Sequence, residues 1–222
     1  MADDLHFYFD PVCPFAWITS KWVRMVSAQR GYRVQWRFIS LRIINSHLDY
    51  AADFPPDYEA GHTAGKKLLR VAAATRAEHG PDAVGALYEQ LGQRIFEVDR
   101  AHRPYGGGRE RRDTPEFAAA ALAAADLPTE LAAALDDEAL DAVLQAESDE
   151  ALSLTGRDVG TPILHFAPPD GLALFGPVIS ELPPPERAGE LWDHVVGLAG
   201  FAGFAELKRS LRNRPSLPSL GG

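Results

Sequence analysis

The sequence predicts an α/β fold in which two strand-containing segments flank a long helical block. Three observations lead to this expectation. The first 40 residues show a strand, a helix and a second strand; the middle of the chain is rich in alanine and has no convincing strand; two further strands and a helix follow residue 160. A strand–helix–strand unit predicts a parallel pair with a right-handed crossover.

The first unit begins with the apolar and aromatic run Leu5–Phe9, which is typical of a buried strand. Pro14 suits the first turn of a helix, because its missing N–H loses no hydrogen bond there. Apolar residues then recur at helical spacing until Gly31 ends the pattern. Residues 32–39 alternate and are rich in β-formers, so they predict the second strand.

The rest of the chain divides into helices and a late hairpin. Residues 55–155 are predicted to be helical, with separate helices opened by Pro56, Pro81, Pro115 and Pro128. Residues 162–166 and 172–175 predict a β-hairpin, because a turn-forming cluster separates them, and a final helix opens near residue 185. This is the order of a thioredoxin fold, with halves at residues 1–52 and 157–222 and an inserted helical domain at 53–156.

Composition restricts the classes of partner. The 222 residues carry a net charge of −9 and the pI is near 5.2, so neither nucleic acid nor an anionic membrane surface is expected as a partner. No apolar run approaches the roughly 20 residues that span a bilayer. The chain begins without a secretory-signal pattern, and its one cysteine cannot form an internal disulfide. We expect a cytoplasmic monomer or homodimer that acts on a small molecule.

The single cysteine, Cys13, lies directly after the first predicted strand and at the start of the first predicted helix. Unpaired N–H groups and the helix dipole place positive potential at a helix start, which stabilises a thiolate. Cys13 is therefore a candidate nucleophile near neutral pH. A free cysteine is also among the most buried residue types, so a packing role is the alternative.

The sequence around this cysteine resembles a known family. Residues 9–17 (FDPVCPFAW) are similar to the Cys-Pro-aromatic-Cys site of DsbA-like thioredoxin-fold proteins. More narrowly, they resemble the actinobacterial mycothiol-dependent reductases of the nitroreductase type, in the DsbA/FrnE branch. The similarity is least clear at residues 97–112 and continues in the same order through residues 40–45, 58–80, 159–162, 175–180 and 190–192. It implies a thioredoxin fold with a helical insertion domain and a thiol-dependent oxidoreductase.

The resemblance also gives a role to Thr161 and Pro162. In thioredoxin folds the bond before the proline of the third strand is cis and lies opposite the cysteine. An X–Pro bond reaches the cis form at a cost of roughly 0.5–1 kcal/mol. The resemblance implies that the Thr161 backbone faces an incoming sulfur or a peptide-like substrate. An ordinary strand-opening proline is the alternative.

Ala16 departs from the family pattern, because it replaces the second cysteine. The chain has no other cysteine, so an internal dithiol–disulfide cycle is excluded and any redox role needs an external thiol. Mycothiol is the thiol that the resemblance implies, and glutathione is a second candidate. The same fold also serves kappa-class glutathione transferases and hydroxychromene carboxylate isomerases, which bind a thiol cofactor at the same helix start.

Residues next to the cysteine are candidates for binding the substrate or the thiol. Pro14, Phe15, Ala16 and Trp17 adjoin Cys13 in sequence. An exposed Phe15 would offer an apolar platform for a substrate ring, and core packing is the alternative.

A second group of candidates lies farther along the chain. Asn45 and Tyr58 fall after the second strand and at the opening of the insertion, where a lid over the cysteine would begin. His62, Lys66 and Arg70 share one face of a predicted helix at i, i+4 spacing. That face would attract a carboxylate or the polar groups of a thiol cofactor, and a solvated helix face is the alternative.

Other cofactor motifs are missing from the sequence. The glycine-rich stretch at residues 105–112 follows no strand and lacks the Gly-Lys-Ser/Thr ending of a phosphate loop. The seven histidines show no metal-ligand spacing, and one cysteine cannot build a structural zinc site. We expect no bound metal, flavin or tightly bound nucleotide.

Three functions remain at this stage. The leading hypothesis is a thiol-dependent oxidoreductase in which Cys13 forms a mixed disulfide that a small thiol resolves. The second is a transferase or isomerase that holds a small thiol non-covalently beside Cys13. The third is a binding protein without catalytic activity that uses the cleft between the two domains.

Overall fold

The computed structural model describes residues 4–98, 112–209 and 213–221. Its strands are β1 (Leu5–Phe9), β2 (Val34–Phe38), β3 (Ile163–Phe166) and β4 (Ala173–Phe175). Its α-helices are α1 (Pro14–Arg30), α2 (Leu41–Ile44), α3 (Tyr50–Asp53), α4 (Tyr58–His79), α5 (Pro81–Phe96), α6 (Pro115–Ala124), α7 (Asp141–Thr155) and α8 (Pro185–Ala199). Short 3₁₀ helices cover Thr129–Asp136, Glu138–Leu140 and Pro218–Leu220.

The four strands form one mixed sheet in the order β2-β1-β3-β4. Strand β1 runs parallel to β2 and antiparallel to β3, which in turn pairs antiparallel with β4. Helices or loops cover both faces of β1, and Phe7, Tyr8 and Phe9 are therefore all buried in succession. The predicted α/β fold is confirmed, with the β1-α1-β2 unit and the late β3-β4 hairpin in the expected order.

Local sequence signals determine where α1 begins and ends. Cys13 is its N-cap residue and Pro14 occupies the first turn. Gly31 ends the helix in the left-handed conformation, at φ 70°, and its N–H bonds to the Ser27 carbonyl. Trp17 and Trp22 lie on the buried side of the helix, in the core that α1 shares with the sheet.

Parts of the helical block differ from the sequence prediction. The helix expected at Pro56 begins at Tyr58, and the one expected at Pro128 is a 3₁₀ helix over Thr129–Asp136. The boundary of the inserted domain at residues 53–156 stays a prediction. One apolar core runs from the sheet into helices α4, α5 and α6. Within the described residues, no helix combines the length and the apolar character needed to cross a membrane.

Three glycines let the inserted helices approach the sheet and α1 closely. A Cβ atom at Gly92 of α5 would lie 2.1 Å from the Trp17 ring, and one at Gly85 would lie 2.7 Å from Trp36 Nε1. A Cβ atom at Gly65 of α4 would lie 2.5 Å from the Asp10 carboxyl. Because real Cβ contacts are never this short, these positions need glycine for close packing.

Helix α7 supplies hydrogen-bond acceptors to the end of β2. The Phe38 N–H donates to Glu147 Oε2 at 2.8 Å, and the Ser40 N–H donates to Ser148 Oγ at 3.1 Å. Glu147 also pairs with Arg76 of α4 at 2.6 Å. These bonds satisfy buried backbone donors and connect α7, and through Glu147 also α4, to the sheet.

We expect Gly92→Ala to lower the free energy of unfolding by about 1–3 kcal/mol, because overpacking against Trp17 outweighs the better helix propensity of alanine. Denaturant unfolding followed by circular dichroism measures this change. Gly197→Ala in α8 is the matched control. A Cβ atom there meets nothing within 4 Å, so this variant should gain up to about 1 kcal/mol. Equal effects at the two positions would contradict the packing argument.

Candidate active site

Cys13 lies at the N-terminus of α1 with its sulfur turned back over the first helical turn. The residue is 7% exposed, and its Sγ accepts a hydrogen bond from the Ala16 N–H at 3.4 Å. Its backbone is extended, at φ −83° and ψ 114°, as expected of an N-cap residue. The sulfur therefore replaces the hydroxyl or carboxylate oxygen that normally accepts this N–H.

The loop before β3 lies opposite this sulfur. The Cys13 thiol donates to the Thr161 carbonyl oxygen at 3.4 Å, and the Thr161–Pro162 peptide bond is cis. Thr161 Oγ1 donates to the Tyr8 carbonyl oxygen at 3.2 Å, which holds the loop against β1. Cys13 and Thr161 are thus brought together across 148 residues of sequence.

The protonation state of Cys13 differs from the sequence expectation. Burial, the largest cause, and the nearby Asp10 carboxyl together raise the pKa of the thiol to about 12. The backbone N–H groups of Ala16 and Phe15 act in the opposite direction and are outweighed. The expectation of a stabilised thiolate is wrong for the protein without ligand, because the cost of burying the charge exceeds the stabilisation by the helix start.

Asp10 is a site residue that sequence reasoning missed. Its carboxyl group is fully buried and accepts hydrogen bonds from the Val12 N–H at 3.0 Å and the Leu41 N–H at 2.8 Å. Burial raises the pKa of this carboxyl to about 7. The available signal was an acidic residue between a buried strand and the Cys-Pro pair.

The residues that adjoin Cys13 differ in exposure. Pro14 and Phe15 are half-buried, whereas Ala16 and Trp17 are buried. Trp17 packs near Tyr88 and donates through Nε1 to Glu97 at 2.7 Å. The half-buried ring of Phe15 therefore remains a candidate contact surface, whereas Trp17 belongs to the core.

An aromatic cluster surrounds His62 where the inserted segment begins. The rings of Tyr50, Phe54 and Tyr58 stack in sequence, with centroids 4.7 and 5.8 Å apart. His62 lies edge-on to all three rings, and its Nδ1 is 2.9 Å from the Tyr50 hydroxyl. Asn45 ends α2 in the same stretch of chain. Tyr50 and Phe54 were not predicted, since their relation to His62 depends on the fold of this loop.

Lys66 and Arg70 are engaged within the protein. Arg70 is buried and makes two hydrogen bonds to Asp141, at 2.6 and 2.8 Å, while Lys66 reaches the same carboxylate at 2.8 Å. These cations hold the pKa of Asp141 down at about 2. Both cations therefore bind Asp141 in the protein without ligand, and their role in ligand binding stays a prediction.

A cavity of about 440 Å³ opens beside α1, one helical turn beyond the cysteine. It is lined by Trp17, Lys21, Gln93, Arg94, Glu97 and Val98. Glu97 accepts hydrogen bonds from both Trp17 and Lys21. No sequence motif marks the α5 residues of this cavity, so they were not predicted. The glycine-rich stretch at residues 105–112 lies outside the described residues except for residue 112.

We expect Cys13 in the folded protein to react slowly with iodoacetamide at about pH 8. With the pKa at about 12, the thiolate fraction there is roughly a thousandfold lower than for an unperturbed thiol, and it rises tenfold per pH unit. Intact-protein mass spectrometry over a pH series measures the rate. Protein unfolded in urea is the control and should react much faster. Equally rapid labelling of folded protein at neutral pH would restore the thiolate interpretation.

Comparison with known proteins supports the assignment of the fold. The cytosolic disulfide reductase DsbM from Pseudomonas aeruginosa superimposes with a TM-score of 0.52 at 19% identity, over 88% of this chain and 99% of that one. A 2-hydroxychromene-2-carboxylate isomerase superimposes with a TM-score of 0.52 at 12% identity, over 87% and 95% of the respective chains. The DsbA-like thioredoxin fold predicted from the sequence is confirmed.

Sequence comparison identifies the family. The chain is 33% identical over 204 residues to the uncharacterized protein Rv2286c of Mycobacterium tuberculosis, a match that covers 91% of this chain and 80% of the relative. Residues 12–209 match the family model described as Rv2466c-like, mycothiol-dependent nitroreductase Rv2466c. This match includes Cys13 and, after it, strand β2 and the β3-β4 hairpin. The chain therefore belongs to the Rv2466c-like family.

Proposed function

We propose that this protein is a thiol-dependent oxidoreductase with one reactive cysteine, Cys13, and an external small thiol as the resolving partner. The observation that carries the proposal is the position of the Cys13 sulfur, 3.4 Å from the Thr161 carbonyl oxygen and at the first turn of α1. Membership of a family described as mycothiol-dependent supports mycothiol as the thiol. Glutathione remains the alternative thiol.

The exchange cycle needs only one protein sulfur. Cys13 attacks a small disulfide, RSSR, forms Cys13–S–S–R and releases RSH, which takes the proton that the Cys13 thiol loses. A second thiol, R′SH, then attacks the R sulfur, restores the Cys13 thiol and leaves as RSSR′. Because Cys13 donates to Thr161 in the unliganded protein, this hydrogen bond must break before the sulfur reacts.

The burial of Cys13 favours a small reaction partner. A sulfur in a residue only 7% exposed admits a narrow thiol or disulfide more easily than a folded protein surface. The half-buried Pro14 and Phe15 border the same helix start and would contact the part of the ligand nearest its sulfur. A small-molecule substrate and a cytoplasmic location, where such thiols are kept reduced, form part of this proposal.

A second candidate function is a transferase or isomerase that binds a thiol cofactor non-covalently. The observation that favours it is the neutral, hydrogen-bonded state of the Cys13 thiol, which suits a binding contact. The similarity in fold to an isomerase agrees with it. In this mechanism the cofactor's sulfur lies near Cys13, and no covalent bond to the protein forms.

We expect a single thiol adduct on Cys13 after incubation with an oxidised small thiol, because disulfide exchange requires only the protein thiolate. Mycothiol disulfide and glutathione disulfide are the two probes, and intact-protein mass spectrometry detects the adduct. Fresh reduced thiol should remove it.

Cys13→Ser is the matched control and should give no adduct. Unfolded wild-type protein shows that the probes are reactive. If folded wild-type protein stays unmodified while the unfolded chain is labelled, the oxidoreductase proposal fails. Thiol-dependent turnover that survives Cys13→Ser would favour the transferase or isomerase.

Restoring the family motif provides a separate test at Ala16. Ala16 is fully buried and its N–H bonds to the Cys13 sulfur, so Ala16→Cys places a second thiol within the same helical turn. We expect this variant to resolve the mixed disulfide internally and to accumulate a protein lighter by its two thiol hydrogens. Ala16→Ser, similar in size, should still accumulate the adduct. Equal adduct yields for Ala16→Cys and Ala16→Ser would contradict the proposed exchange at Cys13.

A further inference from the structure

Asp10 and Cys13 lie at the two ends of one tight turn. The Cys13 N–H donates to the Asp10 carbonyl oxygen at 3.1 Å, which closes a four-residue turn and places the two Cα atoms within about 7 Å. Inside this turn, Asp10 Oδ1 accepts the Val12 N–H at 3.0 Å. The carboxyl group is therefore fixed close to the backbone that carries the reactive sulfur.

The other carboxyl oxygen connects this turn to a second loop. Asp10 Oδ2 accepts the Leu41 N–H at 2.8 Å, where the chain enters α2. Helix α4 packs directly over the carboxyl group at Gly65, where any side chain would collide with Asp10 Oδ1. Asp10 is consequently 0% exposed, although it lies at the end of a strand beside the candidate site.

The charge of Asp10 is not neutralised by an ion pair. In residues 4–98, 112–209 and 213–221, the causes that shift the pKa of its carboxyl group are burial, which raises it, and the N–H groups of Val12 and Leu41, which lower it. The titratable groups that face it are Cys13 from its own turn, Tyr50 from α3 and Tyr88 from α5. On α4, His62 lies one turn before Gly65 and bonds to Tyr50. Two backbone N–H groups alone stabilise the ionised carboxyl.

We propose that Asp10 is a positioning residue whose charge makes the thiolate of Cys13 harder to form. Two negative charges in one buried turn repel each other strongly in a medium of low polarity, so ionisation of one group raises the pKa of the other. Ionised Asp10 adds to the effect of burial and lowers the thiolate fraction of Cys13, and a proton on Asp10 removes this added penalty. This effect of Asp10 matters for turnover only through the proposed function. The effect on the Cys13 thiolate does not itself depend on that function.

Asp10→Asn tests the proposal, because asparagine keeps the size of the side chain and one oxygen acceptor but removes the charge. The readout is the rate of Cys13 alkylation from about pH 5 to 9, compared at each pH with that of the wild type. We expect a rise of about tenfold at about pH 9, the effect of one pKa unit. The rise should shrink towards none near pH 5, because burial raises the pKa of the wild-type carboxyl to about 7 and it is protonated there.

Glu147→Gln is the matched control. Glu147 is another buried carboxylate that accepts a backbone N–H, but it lies at the end of β2 and is not among the groups that shift the Cys13 pKa. Its alkylation rate should equal that of the wild type at every pH. A rate increase of the same size from about pH 5 to 9 in Asp10→Asn would indicate a loosened loop and overturn the proposal, as would an unchanged or lower rate at about pH 9.

A measurement on the unaltered protein covers the case in which Asp10→Asn does not fold. Burial raises the pKa of the Asp10 carboxyl to about 7, so its carbon signal in nuclear magnetic resonance should titrate near neutral pH. Titration near pH 4, the ordinary range, would contradict an uncompensated buried charge. Alkylation and titration require no thiol adduct. A rate increase that is confined to higher pH, without adduct formation, therefore contradicts the proposed function alone. Adduct formation without that increase contradicts this inference alone.

Discussion

The pairing of β1 with a neighbour on each side is the constraint on which the candidate site depends. Hydrogen bonds to β2 and β3 hold the strand, and its buried aromatic residues prevent it from shifting in register. The turn that carries Asp10 and Cys13 follows β1 immediately, so the sheet determines the position of this turn. Because β3 is antiparallel to β1, the residues before β3 reach the same end, and Thr161 meets the sulfur there.

Two opposing effects determine the protonation of Cys13: the helix N-terminus stabilises a thiolate, and burial disfavours it. A helix N-terminus stabilises a negative charge only as far as the remaining surroundings allow. Here the sulfur receives the N–H of Ala16, but it is enclosed and shares its turn with a carboxyl group. The sulfur is thus enclosed and protonated at rest. Membership of a thiol-dependent family and a resting thiol of low reactivity are compatible if ligand binding changes these surroundings.

Local signals in the sequence accounted for much of the fold. The apolar run of β1, the proline and glycine at the ends of α1, and the turn cluster before β4 each depend on neighbouring residues, so they could be recognised without a structure. Cys13 and Thr161 could be paired only because the family resemblance supplied the distant partner. The burial of Asp10 and the ion pairs of Arg70 with Asp141 depend on helices packed from far along the chain. A pattern within a short stretch of sequence does not indicate contacts between residues that are far apart in the chain.

The bonds from α7 to the end of β2 have a consequence for association between molecules. A strand at the border of a sheet exposes backbone groups that can recruit a strand from another chain and begin aggregation. Glu147 occupies one such donor at the end of β2, and Ser148 occupies the Ser40 N–H two residues beyond the strand. At this end of β2 the α7 side chains therefore take donors that an incoming strand would need, separately from any contact of the inserted segment with a thiol.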